Sequence, residues 1–185
     1  MGENKSVVIL FSGGADSTLL TEMALDAGYT IHCVLIDYDQ NQQVELECAT
    51  RYLNEKGISY QIVKLHDLGL RSGLTTSEKS LYENVNEMYV PSRNLMFVSI
   101  AASIAENNNI DTIWYGADFS DAENGFPDCT QDWVLQVNKL LKINASVPIK
   151  LEAPLLGMTK KMILDRLQYL EVNMDNVFSG YLEDN

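Results

Sequence analysis

The chain has 185 residues, of which 46% are hydrophobic and 21% charged, as is typical of one soluble globular domain. Its formal net charge of −13 argues against broad contact with a nucleic-acid backbone, although backbone N–H groups can still bind a small phosphorylated ligand. No apolar run approaches the roughly 20 residues that span a bilayer, and the three cysteines include no Cys-x-x-Cys pair. We therefore expect a single cytoplasmic domain over residues 1–185, with no membrane contact, no direct nucleic-acid binding and no zinc.

Short apolar, β-branched runs alternate with segments of helical periodicity along the chain. The predicted strands cover residues 6–11, 30–37, 59–65, 111–115 and 149–153. The predicted helices cover residues 18–27, 43–56, 94–107, 131–143 and 159–170, the last with Thr159 as its N-cap. Residues 66–90 and 116–130 lack periodicity and are predicted to be irregular. The alternation predicts an α/β, Rossmann-like fold with a parallel five-stranded sheet, strand order 3-2-1-4-5, and helices on both faces.

The sequence Ser-Gly-Gly-Ala-Asp-Ser at residues 12–17 connects the first strand to the first helix. It is neither a Walker A loop nor a dinucleotide fingerprint, since it lacks the Gly-Lys-Ser/Thr ending and the G-x-G-x-x-G spacing. Gly13 and Gly14 let the backbone approach an anion and adopt positive φ, while the helix start supplies free N–H groups. The alternative, a Gly-rich turn with a Ser or Asp N-cap, explains two of the six residues but not all of them.

The motif resembles the PP-loop of the ATP pyrophosphatases, which have the adenine nucleotide alpha hydrolase-like fold. The resemblance implies an ATP site in which the hydroxyls of Ser12 and Ser17 donate to phosphate oxygens. Asp16 would repel a bare pyrophosphate and is therefore predicted to help hold Mg²⁺. The residues predicted to bind ATP in and around this loop are Phe11, Ser12, Gly13, Gly14, Asp16, Ser17 and Thr18, with Asp16 and Ser17 also catalytic.

Four further segments resemble the 7-cyano-7-deazaguanine synthase family, in that family's order. They are residues 36–40 (IDYDQ), 89–94 (YVPSRN), 116–118 with 125–129 (GAD and GFPDC), and 153–156 (APLL) followed by Lys160 and Lys161. The resemblance implies ATP-dependent amidation of 7-carboxy-7-deazaguanine through an acyl-adenylate. Ammonia gives the amide, and a second ATP supports its dehydration to the nitrile. ATP, ammonia and the deazaguanine acid are the expected small-molecule substrates.

The resemblance also suggests roles for residues outside the loop. Asp37 either contacts the ribose of ATP or is only a turn residue. Arg93 is a catalytic candidate for the substrate carboxylate or an ATP phosphate, because its fork of donors matches planar oxyanions; the alternative is a surface salt bridge. Lys160 is predicted to reach ATP phosphates as a catalytic residue. Lys161 competes for that role, and one of the two is expected to be exposed to solvent.

The remaining candidates are predicted to bind the deazaguanine. Asp118 is expected to face the cleft, and either Asp118 or Asp128 can accept from the N–H groups of the guanine-like edge. Each is otherwise a solvated loop carboxylate. Phe126 stacks on the base or packs in the core. Asn94 binds substrate or caps the helix that follows.

Three positions depart from the family pattern. Asp39 stands where the family has Gly, Thr130 where it has Arg, and Gly180 where the first of four zinc-binding cysteines is expected. We therefore expect no zinc, and a homodimer that replaces the bracing of the zinc segment. Four alternatives to the nitrile synthase stay open. One is an enzyme that stops at the amide, and a second is a related ligase that joins the activated acid to another amine. The others are a PP-loop enzyme acting on another carbonyl, including in tRNA, and a nucleotide-binding module without catalysis.

Overall fold

The computed structural model describes residues 5–38, 43–65, 90 and 92–177 of the chain. Apart from Val90, the stretch 66–90 that was predicted to be irregular lies outside the described residues. The same holds for Asp39, Pro91 and Gly180, three positions that the sequence analysis singled out.

The described elements alternate as the sequence predicts. The strands are β1 (Ser6–Leu10), β2 (Thr30–Asp37), β3 (Ser59–Lys64), β4 (Thr112–Trp114) and β5 (Lys150–Glu152). The helices are α1 (Ala15–Asp26), α2 (Gln43–Lys56), α3 (Arg93–Asn107), α4 (Phe119–Glu123), α5 (Gln131–Asn144) and α6 (Lys160–Tyr169). Two short 3-10 helices lie at Pro127–Cys129 and Met174–Asn176. No described helix has both the length and the apolar surface that are needed to traverse a bilayer.

The five strands form one parallel sheet in the order β3-β2-β1-β4-β5, which confirms the predicted topology. In the central register, Val8 of β1 pairs with His32 of β2 on one side and with Ile113 of β4 on the other. One core cluster packs buried residues of α1, α2 and α6 against one face of the sheet, and a second packs those of α3 and α5 against the other. Helices therefore cover both faces, which buries the apolar strands on both sides.

Two boundaries differ from the prediction in ways that affect the site. Helix α1 begins at Ala15 rather than at residue 18, so that Asp16 and Ser17 belong to its first turn and not to the loop. The stretch 116–130, predicted to be irregular, contains α4 and a 3-10 helix. Asp118 caps α4 by accepting a hydrogen bond from the backbone N–H of Asp121 at 3.0 Å. A five-residue helix is too short to show periodicity, which is why the sequence pattern missed it.

Candidate active site

A cleft with a volume of about 330 Å³ opens at the carboxyl ends of β1, β2 and β4. In a parallel α/β sheet this edge is where ligands bind, because the connections that leave the neighbouring strands β1 and β4 diverge there to opposite sides of the sheet. Seven of the predicted site residues line the cleft: Phe11, Ser12, Asp16, Ser17, Arg93, Asn94 and Phe126. The other predicted residues are not part of its wall: Gly13, Gly14, Thr18, Asp37, Asp118, Asp128 and Lys160.

The loop after β1 is held in shape by its own serines. Ser17 Oγ accepts a hydrogen bond from the backbone N–H of Ser12 at 3.2 Å and donates one to Gly14 O at 3.1 Å. The backbone N–H of Gly14 donates to Ser12 Oγ at 3.3 Å. Gly13 has a φ of 85°, a conformation that favours glycine. Gly14 is the extended N-cap of α1 with a φ of −77°, so the prediction of positive φ holds for Gly13 and is wrong for Gly14.

Gly116 brings the end of β4 close to the first turn of α1. A Cβ atom at this position would lie 3.4 Å from Asp16 Cβ and 3.5 Å from the backbone nitrogen of Ser17. The first N–H groups of a helix have no partner within the helix and are the natural donors to an anion. A side chain at residue 116 would therefore cover one of these donors, and glycine leaves it open to the cleft.

Lys160 joins the start of α6 to the start of α1. Its Nζ donates to Asp16 Oδ1 and Oδ2, both at 2.8 Å, and lies 2.6 Å from Asp118 Oδ2. Burial lowers the pKa of Lys160, but the two carboxylates outweigh this effect and the pKa lies above its ordinary value. Lys161 is exposed, so that only Lys160 belongs to the site. Thr159 caps α6 as predicted, accepting from the backbone N–H of Met162 at 3.3 Å.

Three carboxylates converge around this ammonium. Asp16, Asp118 and Asp121 each place an oxygen within 4.8 Å of the others. Burial, and next the neighbouring Asp118, raise the pKa of Asp121 to about 6. Carboxylate oxygens are the ligands that Mg²⁺ prefers. The donor set therefore fits the Mg²⁺ site predicted around Asp16, with Lys160 as the cation that occupies the same carboxylates in the protein alone.

Asp118 does not face the cleft as predicted. Its side chain is 0% exposed, with one oxygen capping α4 and the other beside Lys160. Full burial leaves no surface for a substrate contact, since both oxygens point into the protein. The predicted role in reading the deazaguanine edge is thus not supported for Asp118, and Asp128 remains the candidate.

A second group of polar side chains is linked by hydrogen bonds at the cleft. Arg93 donates from Nη1 to Tyr38 Oη at 3.3 Å and from Nε to Asn94 Oδ1 at 3.4 Å. Asn94 Nδ2 donates to Asp128 Oδ2 at 2.7 Å and to Tyr115 Oη at 2.9 Å. The four segments that carry these residues are separate in the sequence. The fold therefore brings one guanidinium and one carboxylate together, joined by an amide.

The described residues do not support two alternatives from the sequence analysis, which concern Asn94 and Arg93. Asn94 does not cap α3, because that helix begins at Arg93 with Ser92 as its N-cap. Its amide instead bridges Arg93 and Asp128. Nor does Arg93 form a surface salt bridge: within the described residues its partners are the neutral side chains of Tyr38 and Asn94.

Three further predicted residues, Thr18, Asp37 and Phe126, differ in their position relative to the cleft and the core. Thr18 is fully buried, and its Oγ1 has no hydrogen-bond partner among the described residues. Asp37 is the last residue of β2, and its neighbours Ile36 and Tyr38 are the ones that line the cleft. Phe126 lines the cleft and also packs against the core cluster beneath α3 and α5. Its position accommodates both stacking on a ligand and core packing.

Four residues of the site received no role from the sequence. Tyr38, Tyr115 and Gly116 lie just past the ends of β2 and β4, where a search of strand ends for polar or small residues would have found them. Asp121 lies on the missed helix α4 and carried no pattern that singled it out. Burial raises the pKa of Tyr115, so its hydroxyl stays protonated and can both accept from Asn94 and donate to Asp128 O at 3.4 Å.

The cysteines are expected to differ sharply in reactivity. Burial raises the pKa of Cys33 and of the cleft residue Cys129 to about 12 in each case. At about pH 8 only on the order of one molecule in 10⁴ would carry either thiolate. Cys48 is partly exposed on α2. We expect one thiol per native chain to react rapidly with a chromogenic disulfide reagent, and this rapid reaction to be lost in Cys48→Ser. The other two thiols should react only after the protein is unfolded. Fast labelling of Cys129 would contradict its burial.

A protein-family model described as queuosine biosynthesis protein QueC matches residues 6–185. The chain belongs to the QueC family. Its similarity to curated relatives extends over nearly the whole chain. The 7-cyano-7-deazaguanine synthase of Leptospira interrogans is 33% identical over 192 residues, covering 96% of this chain and 78% of the relative. The enzyme of the same name from Prochlorococcus marinus is 33% identical over 196 residues, covering 98% and 87%. Membership of the QueC family indicates an enzyme of the synthase type.

Solved structures with the same fold include two with low sequence identity. The U34-tRNA thiolase NcsA from Methanococcus maripaludis has a TM-score of 0.59 at 16% identity over 92% of this chain, which spans 58% of the thiolase. The NH3-dependent NAD synthetase from Campylobacter jejuni has a TM-score of 0.57 at 15% identity, over 95% of this chain and 68% of the synthetase. At such identities the likeness concerns the fold alone, and it confirms the adenine nucleotide alpha hydrolase-like fold predicted for this QueC-family chain.

Proposed function

We propose that this QueC-family chain is a single PP-loop domain that uses ATP to amidate 7-carboxy-7-deazaguanine, giving the amide and then 7-cyano-7-deazaguanine. The observation that carries the proposal is the presence of two polar groups at the cleft. One comprises the N–H groups at the start of α1 with Lys160 beside them, and the other is Arg93 linked through Asn94 to Asp128. The first group suits an anionic phosphate chain, and the second suits a carboxylate attached to a guanine-like ring.

In the proposed reaction, the N–H groups and hydroxyls of residues 12–17 bind the β- and γ-phosphates, and Lys160 neutralises charge beside them. Arg93 orients the substrate carboxylate toward the α-phosphorus, and the bond to pyrophosphate breaks as the acyl-adenylate forms. Ammonia then attacks the acyl carbon and AMP leaves. In the second round the amide oxygen attacks the α-phosphorus of another ATP and displaces pyrophosphate. AMP then leaves with that oxygen while the nitrogen loses its two protons, which gives the nitrile. The donors are in place before the reaction, which is the source of most electrostatic stabilisation in enzymes.

Mg²⁺ is proposed to bind at the carboxylates of Asp16 and Asp121, with Asp118 behind them. When bound it would offset the negative charge of the phosphates. Without it, the net negative charge of three carboxylates and one ammonium would repel them. The proposal is supported by the distances of at most 4.8 Å among the three carboxylate oxygens.

The reaction products test this function directly. Incubation with 7-carboxy-7-deazaguanine, ATP and ammonium is expected to release AMP and pyrophosphate, because the α-phosphorus is the site of attack. Chromatography of the nucleotides and mass spectrometry of the deazaguanine are the measurements, and omission of Mg²⁺ should abolish turnover. ADP as the main nucleotide would contradict the adenylation step. The acid recovered unchanged, with ATP bound but intact, would indicate a binding module.

The nitrogen donor is tested in the same reaction. An amide or nitrile formed from ammonium supports the proposed synthase. A product formed only when another amine is supplied would support the related ligase instead. The homodimer expected from the sequence stays a prediction, which light scattering of the purified protein can check.

A further inference from the structure

The ammonium of Lys160 contacts three carboxylate oxygens. An ammonium group has three N–H donors. Those of Lys160 face three carboxylate oxygens, two from Asp16 at 2.8 Å and one from Asp118 at 2.6 Å. A phosphate oxygen must therefore compete with these carboxylate oxygens for the donors of Lys160. Which of the two carboxylates exchanges its contact with Lys160 depends on how firmly each side chain is held.

The two carboxylates differ in exposure and in attachment. The side chain of Asp118 is 0% exposed, and its Oδ1 is tied to the backbone N–H of Asp121 at 3.0 Å. The side chain of Asp16 is 22% exposed and lines the cleft. A buried side chain with both oxygens in use has no room to turn, whereas Asp16 can turn toward the cleft or toward a cation. Asp118 is thus the fixed partner and Asp16 the exchangeable one.

The backbone near Asp118 is also tied to the start of α6. The N–H of Lys160 donates to Ser120 Oγ at 3.0 Å, and the N–H of Phe119 donates to Met158 O at 3.0 Å. The segment 118–120 therefore holds both the backbone and the ammonium of Lys160. These contacts determine where the ammonium stands relative to the first turn of α1.

We propose that Asp118 is a positioning residue that keeps the Lys160 ammonium at the proposed phosphate site, while the contact of Lys160 with Asp16 is exchanged for a phosphate oxygen when ATP binds. The inference rests on the proposed ATP site for its second half. Its first half, the anchoring of Lys160 by Asp118, concerns the protein without nucleotide and can be tested separately.

Asp118→Asn separates the two functions of this side chain. Asparagine is as good an N-cap as aspartate, so the cap of α4 is retained while the charge beside Lys160 is removed. We expect kcat to fall by at least about 10-fold, because Lys160 loses its fixed anchor in the transition state. The KM for ATP is expected to stay unchanged or to fall, since one negative charge near the phosphates is gone. Asp111→Asn, on an exposed residue, is the control and should change neither constant.

A chemical readout is independent of turnover. Acylation of Lys160 by an amine-reactive ester, followed by peptide mass spectrometry without nucleotide, is expected to be several-fold faster in Asp118→Asn than in the wild type. The exposed Lys161 is the internal reference and should react equally in both. Equal rates at Lys160 would overturn the anchoring, whatever the enzyme does with ATP. A raised KM with unchanged kcat would overturn the positioning role, and inactive wild-type protein with the expected labelling would count against the proposed function only.

Discussion

Replacement of Lys160 by methionine is expected to lower kcat/KM for ATP by about 10²- to 10³-fold, the usual effect of removing one preorganised charge from a transition state. Lys160 supplies the described cation nearest the first turn of α1, with its Nζ 2.8 Å from Asp16. Lys161→Met is the matched control, because it removes the same group from the next, exposed position. Steady-state kinetics of pyrophosphate release measure both variants, and the control is expected to stay within about twofold of the wild type.

The same replacement is expected to destabilise the fold, which would confuse the result if it were not controlled. Breaking a buried ion pair costs about 3–5 kcal/mol, and the 21% exposure of Lys160 places its loss at the lower end of that range. The double variant Lys160→Met with Asp118→Asn removes the buried charge that is left behind. It should therefore recover much of the lost melting temperature without recovering activity. Recovery of both would mean that Lys160 contributes only to stability.

Arg93→Ala and Asp128→Asn are expected to reduce kcat/KM for the deazaguanine acid by roughly 30- to 1000-fold, as the loss of one charge-assisted hydrogen bond in a buried site implies. The KM for ATP should change much less, because neither residue belongs to the loop at residues 12–17 or to the first turn of α1. Asp132→Asn provides the control: Asp132 is an exposed carboxylate on the first turn of α5, four residues beyond Asp128. Weaker ATP binding with unchanged affinity for the acid would reverse the assignment.

Asn94 provides a second test of this group of side chains. Its amide is hydrogen-bonded to both Arg93 and Asp128, so it should transmit the effect of one residue to the other. A double-mutant cycle of Asn94→Ala with Asp128→Asn is therefore expected to be non-additive, with the double variant close to the worse single variant. Simple addition of the two effects would show that Asn94 and Asp128 act independently.

The sequence was informative wherever a signal is local. The Ser-Gly-Gly-Ala-Asp-Ser loop is a contiguous run of six residues between a strand and a helix, and its resemblance to a PP-loop follows from their order. The parallel sheet and its strand order follow from the alternation of apolar runs, because right-handed crossovers leave few topologies. The QueC family resemblance likewise rested on short ordered segments. In contrast, helix α4 was missed because five residues carry no periodicity, and for the same reason no sequence pattern selected Asp121.

The sequence by itself determined the fold class, the Ser-Gly-Gly-Ala-Asp-Ser loop and most of the polar residues from which the candidate site is built. Only the tertiary structure decided which of those residues meet. Lys160 and Asp16 are 144 positions apart, and the choice of Lys160 over Lys161 follows from the direction in which α6 starts beside α1. Asp118 was predicted to face the cleft but lies in the interior, because its burial depends on how α4 packs against the start of α6. Contacts between distant segments are set by sheet order and helix packing, whereas sequence patterns report only on neighbours along the chain.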